Sequence, residues 1–202
     1  MTDQHPTEHV SEHVSEREQY SQQLDQSRRQ KDRFFGVSPQ SPIPLAQRRS
    51  GFHGLRYFPP DLAFQIVAQV TPIEEIIIQE LNTSTGDLRP QRRAVELHFA
   101  VGDQELTLLG FSDPDDDDLH DLFIPFRDAT SGGETYGAGR YLETVVEPTD
   151  DGAFQAVLDF NLAYNPYCAY SENYSCPIPP AENRLAVAIT AGERTYDEGH
   201  SH

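Results

Sequence analysis

The chain has 202 residues and carries 33 Asp and Glu against 15 Lys and Arg, for a net charge of −18. That length holds one domain with chain to spare, and the charge excludes a nucleic-acid partner, whose phosphates call for clustered cations. Lys31 is the only lysine, beside no Trp and one Met, a composition that reads as adaptation to concentrated salt. At about 1 M salt a Debye length of roughly 3 Å mutes acidic self-repulsion, whereas at about 0.01 M the length is roughly 30 Å and the compact state suffers.

The start, MTDQHPTEHVSEHVSE, has neither a basic segment nor an apolar one. No run of about 18 apolar residues follows, so no membrane partner or secretion is expected and a cytoplasmic location is. Two cysteines are too few for a secreted disulfide scaffold, which agrees with a reducing compartment. Residues 1–33 are polar, with HVSE repeated at 9–12 and 13–16 and apolar pairs at helical spacing, Val10/Val14 and Tyr20/Leu24. This thin stripe predicts a disordered start of about eight residues and a helix over about 9–33 that forms only when docked. A partner-binding helix is the alternative role.

Prolines 39, 42, 44, 59 and 60 exclude regular helix across 34–62. The segment reads as an ordered lead-in anchored by Phe34, Phe35, Phe52, Tyr57 and Phe58. From Phe64 the period becomes two. Phe64, Ile66, Ala68 and Val70 alternate with Gln65, Val67, Gln69 and Thr71, a strand buried on one face. A second strand is expected over about 75–81. In the third, Val95, Leu97, Phe99 and Val101 alternate with Glu96, His98 and Ala100, and Gly102-Asp103 turns into a hairpin with 105–111. The acidic run DPDDDD at 113–118 lacks the interleaved glycine and terminal glutamate of a calcium loop and reads as a solvated face. Strands follow at LFIPFRD, 140–147, 154–160 and 184–190. About eight short strands and little helix predict a mostly β fold, a small antiparallel barrel or compact sandwich with a polar N-terminal helix. Closure into a barrel is favoured because it removes exposed edges.

The second half concentrates residues that rarely fill cores: Asp128, Thr130, Thr135, Tyr136, Arg140, Asp159, Asn161, Tyr164, Asn165, Asn183 and Glu193. Each needs a partner if buried. Glycines 132, 133, 137 and 139 and prolines 166, 177, 179 and 180 predict an ordered, stiff path. The runs DATSGGETYGAGRY, DFNLAYNPYCAY and CPIPPAENRL, with KDRFFGVSPQSPIP and GFHGLRYFPP upstream, resemble the domain of unknown function 1684 over roughly residues 31–196. That bacterial and archaeal family has no established activity. The resemblance implies a short form lacking the further upstream domain that members often carry, and it leaves the first 30 residues unexplained. It supplies no mechanism, so the site rests on the residues.

Arg140 offers a rigid five-donor fork. It either holds a ligand carboxylate or phosphate, or pairs with Asp128 or Asp159 to fasten two loops. Asp159 and Asn161 share one face of a strand end and, with Tyr164 and Asn165, either contact a polar ligand at a barrel mouth or satisfy loop backbone. Ser131, Ser171 and Ser175 lack any G-x-S-x-G setting, and His98 and His120 stand alone. A hydrolase-like enzyme, the alternative reading, would therefore use Asp128 or Asp159 with Tyr136. Cys168 and Cys176 are two buried thiols clamping a loop, a disulfide or redox-sensitive pair, or, with His53 or His120, a loose zinc match.

The chain is therefore expected to comprise a polar segment at 1–33, a β domain at 34–197 and a disordered tail at 198–202. The leading functional expectation is a small polar or anionic ligand bound between the 128–141 and 159–183 segments. Arg140 would be its anchor, and Asp128, Thr130, Thr135, Tyr136, Asp159, Asn161, Tyr164, Asn165 and Asn183 would surround it, with no cofactor or metal. A protein interaction module using the 9–33 helix or the aromatic lead-in is the remaining alternative.

Overall fold

The computed structural model describes residues 7–115 and 121–196, with side chains from residue 17 onward. The expected disorder at the chain start falls largely outside these residues. So do residues 116–118 of the acidic run and the tail from 197.

Six strands, β1 Gln65–Asn82, β2 Leu88–Val101, β3 Gln104–Ser112, β4 Asp121–Phe126, β5 Arg140–Pro148 and β6 Phe154–Asp159, form a closed antiparallel barrel in sequence order. β1 also pairs with β6, Gln65 opposite Asp159 and Val70 opposite Phe154, so no long edge remains. The period-two pattern explains the burial: Ala68, Val95, Leu97, Leu108, Ile124, Leu142 and Leu158 point inward into one core, while Val67 faces outward. The hairpin at Gly102-Asp103 forms as the sequence predicts, with Val101 opposite Gln104.

Three expected strands are organised differently. The runs at 64–71 and 75–81 are one strand, β1, because an irregularity between Pro72 and Ile77 shifts the register against β2 without ending the pairing. The segment at 184–190 alternates like a strand but joins no sheet. It runs beside 127–129 through an isolated parallel bridge, Arg127 to Arg184, with Leu185 N–H donating to Arg127 O at 2.8 Å and Ala129 N–H to Val187 O at 2.9 Å.

The N-terminal helix, α1, spans Thr7–Val37, and a short α2, Leu45–Gly51, occupies the proline-free part of the lead-in. The proline argument excludes helix across the whole segment but not between Pro44 and Pro59. Leu24 and Phe35 are buried, and Phe35 packs with Ile43 and Tyr170 in a second, smaller core. No helix among the described residues is long and apolar enough to cross a membrane.

Candidate functional site

The polar residues of the second half fall into separate clusters, each with its own structural neighbours. Arg140 opens β5 and is completely buried. One Nη donates to Ala191 O and to Glu193 O (3.2 Å), the other to Ile189 O (2.9 Å) and Asp128 Oδ1 (3.4 Å), and the guanidinium lies over the Phe126 ring. Burial pushes its pKa down from the usual value, and Asp128 opposes the shift. Asp128 also accepts from Ile189 N–H (2.7 Å), Thr130 Oγ1–H (2.8 Å) and Ser131 Oγ–H (3.3 Å), while Thr130 shares a hydrogen bond with Thr135. The Nη donors of Arg140 thus fasten the segment 189–193 across the barrel end. Glycine is required along the way: Gly192 has φ +76°, and a Cβ there would lie 2.6 Å from Ala163 O.

Asn183 belongs to the sheet. β3 and β4 pair only at Phe111 and Phe123. At Leu109 on β3 and Pro125 on β4, the Asn183 side chain stands between the strands. Its Nδ2 donates to Leu109 O (2.9 Å) and Pro125 O (2.8 Å), and its Oδ1 accepts from Leu109 N–H (2.7 Å). A side-chain amide replaces the missing ladder where Pro125 has no N–H to give.

Asp159 and Asn161 hold the lead-in and α1. Tyr20 Oη donates to both Asp159 oxygens (2.7 and 2.9 Å), and Asn161 exchanges hydrogen bonds with the backbone of Asp61. Burial, then the hydrogen bond to Asp159, drives the Tyr20 pKa upward. Glu193 is a further buried acid. It forms an ion pair with Lys31 and accepts from Asn165 N–H (2.9 Å) and Tyr170 Oη (2.6 Å), while Asn165 Nδ2 donates to Arg194 O. The only lysine of the chain therefore docks α1; its singularity was the signal, but no local pattern gives its partner.

Beside this docked helix lies a groove of about 910 Å³. Seven aromatic side chains wall it: Phe34 and Phe35 from α1, Phe123 from β4, Tyr141 from β5, and Tyr164, Tyr167 and Tyr174 from the loop beyond β6. Glu143, Gln91, Lys31 and Asp113 supply polar groups along its lining. Tyr164 Oη donates to Glu143 (2.7 Å) and Tyr141 Oη to Pro177 O (2.5 Å), so both rings are held in place. Burial raises the pKa of each, keeping both as neutral phenols. Of the residues expected to surround a ligand, Tyr164 alone lines the groove, together with Cys176 of the thiol pair. The tyrosine density of NPYCAYSENY was its legible sign.

Tyr136 is paired with neither Asp128 nor Asp159; its hydroxyl donates to Cys168 Sγ at 3.8 Å. Both cysteines are free, and Cys168 N–H donates to Cys176 Sγ at 3.3 Å. Among the described residues no group of three or more His, Cys, Asp or Glu is placed to hold a metal ion.

A family model described as a protein of unknown function, DUF1684, matches residues 50–194. Among solved structures, the chain is similar to an uncharacterised protein of Haloarcula marismortui determined in solution by NMR. That likeness has 40% identity and a TM-score of 0.68, covering 90% of this chain and 97% of that one. No curated protein matches.

Proposed function

Because the chain belongs to the DUF1684 family, whose function is unknown, membership brings no activity with it, and we propose that the domain binds a small molecule in the aromatic groove between α1, β4–β5 and the 164–177 loop. One observation carries this reading: seven aromatic side chains converge on a single groove of about 910 Å³, within the size and character of small-molecule sites. Its aromatic walls suit a flat, apolar body. Glu143, already accepting from Tyr164 through one oxygen, suits a donor or cationic group on that body.

This moves the anchor away from Arg140, whose Nη donors are turned to Ala191, Glu193, Ile189 and Asp128. An acid-base enzyme built on Asp128 or Asp159 with Tyr136 gains no support from the geometry, since those groups have different partners. The setting we propose is a salt-rich cytoplasm. The net charge of −18 supports it, as does similarity to a protein from a halophilic archaeon.

Small molecules released by denaturing protein purified in molar KCl, identified by mass spectrometry, test the site. A stoichiometric compound is expected from the wild type, with at least about tenfold less from Gln91→Trp, which fills the groove from β2. Equal recovery from both, or none from either, overturns the proposal. On the salt reading, the unfolding midpoint rises steeply between about 0.01 M and 1 M KCl; a flat midpoint would sink it.

A further inference from the structure

Two free cysteines lie close together in the loop that follows β6, apart from the Arg140, Asn183, Asp159 and Glu193 networks. Cys168 sits in a 3₁₀ turn, Tyr167–Ala169, and is only partly buried, whereas Cys176 is buried. The turn aims the Cys168 N–H at Cys176 Sγ (3.3 Å), and the Tyr136 hydroxyl points at Cys168 Sγ (3.8 Å). The second cysteine is pinned from the other side by the β1–β2 turn. Ser84 N–H donates to Cys176 O (3.0 Å), Cys176 N–H to Ser84 Oγ (3.2 Å), and Ile178 N–H to Asn82 O (2.7 Å). Residues distant in sequence thus converge to hold two thiols together, one exposed enough to meet a reagent and one behind it.

We propose that Cys168 and Cys176 form a reversible thiol–disulfide site, in which Cys168 attacks a hydroperoxide and Cys176 resolves the product.

The local chemistry supplies what such a site needs. A thiolate is the nucleophile, and it forms where donors surround the sulfur. The Tyr136 hydroxyl is aimed at the Cys168 sulfur, and polar neighbours, the Cys176 thiol foremost and then Tyr136 and Ser84, bring its pKa down to about 6 against the opposing effect of burial. Cys176 moves the other way, mainly because its proton serves the Cys168 sulfur. Burial keeps two phenols near the pair, Tyr141 and Tyr136, neutral. In the first step the Cys168 thiolate attacks the nearer oxygen of the hydroperoxide. The O–O bond breaks, and the departing alkoxide or hydroxide takes a proton from water, leaving Cys168 as a sulfenic acid oxidised by two electrons. Cys176 then attacks that sulfur, the S–O bond breaks, and its thiol proton leaves with the hydroxyl as water. Two equivalents of an external thiol return both cysteines to the reduced state. Cys176 lines the aromatic groove, so the disulfide would lock that wall. The thiol chemistry itself does not require an occupied groove.

The test uses full-length, reduced protein in molar KCl, treated with about one equivalent of hydrogen peroxide. Intact mass should fall by about 2 Da with both thiols lost together, and a dithiol reductant should reverse it. Cys176→Ser should stop at a Cys168 sulfenic acid that dimedone captures, while Cys168→Ser should keep its remaining thiol over the same interval. Iodoacetamide alkylation of Cys168 in Cys176→Ala and Tyr136→Phe should each show a midpoint above that of wild type, because each removes a donor. Circular dichroism and an unfolding melt confirm that every variant remains folded. The proposal is overturned if the folded wild type keeps both thiols, if Cys168→Ser oxidises as fast as wild type, or if the two sulfurs oxidise singly without joining.

Discussion

The barrel wall and the straps laid over it are held by opposite kinds of interaction. Along the strands, apolar residues at every second position fill one interior, and any neighbour of suitable volume serves. The segments 128–141, 159–165 and 183–194 are fixed instead by buried polar groups, each with named partners: Arg140 on three carbonyls and Asp128, Asn183 between two strands, Glu193 on Lys31 and Tyr170. A packed core degrades gradually, by lost contact area and cavity. A buried polar network fails sharply, because removing one member strands the others without water.

Arg140→Ala breaks the comparison most severely. It leaves the Asp128 charge and three carbonyls buried, and should cost about 3–5 kcal/mol, read by urea unfolding in molar KCl. Leu97→Ala, at an equally buried site on β2, should cost about 2–5 kcal/mol through the transfer and cavity terms. The informative contrast is Leu97→Met, expected to cost under about 1.5 kcal/mol, against Arg140→Lys, which keeps the charge but cannot span the same acceptors and should stay close to the alanine variant. If Arg140→Lys is as mild as Leu97→Met, the distinction between strap and wall disappears.

Asn183→Ala comes next. Leu109 N–H and two carbonyls lose their partner inside the sheet, at a cost of about 1–3 kcal/mol. Amide exchange at Leu109 should quicken more than at Leu97, which keeps its place in the β2–β3 ladder. A smaller effect belongs to Tyr20→Phe. It removes one charged-acceptor hydrogen bond at the α1 dock, worth about 1.5–3 kcal/mol at most and discounted because Tyr20 is only partly buried. Proteolysis within α1 should accelerate while barrel exchange stays unchanged.

The smallest effect is a pH dependence. Burial raises the Asp32 carboxyl pKa above its usual value, although Leu55 N–H, donating at 2.9 Å, opposes the rise. A group whose folded pKa lies above its unfolded one contributes stability below the unfolded value and loses it as pH rises through the folded one. Asp32→Asn keeps an acceptor for Leu55 without a charge. Relative to wild type it should therefore gain stability as the pH climbs from the usual carboxylate range toward neutrality, measured as the difference in melting temperature. A difference independent of pH would remove Asp32 from the account.

The barrel was legible because alternation is local: Ile66, Ala68 and Val70, then Val95, Leu97 and Phe99, declare an inward face whatever they meet. The same signal misled at 184–190, where Leu185 and Ile189 are buried but belong to a strap that joins no ladder. It also left 64–71 and 75–81 as two strands, since nothing in the letters indicates that pairing with β2 survives the irregularity after Pro72.

Composition and periodicity by themselves determined the β architecture, the polar N-terminal helix and the set of second-half residues that demand partners. Which partner each one meets was decided only by the tertiary structure. Lys31 and Glu193, and Tyr20 and Asp159, come from segments more than a hundred residues apart, and the rings of the groove come from α1, the paired strands β4 and β5 and the loop beyond β6. A buried arginine looks the same in sequence whether it faces carbonyls or a ligand, because burial, hydrogen bonding and charge pairing depend on distances that chain order does not encode.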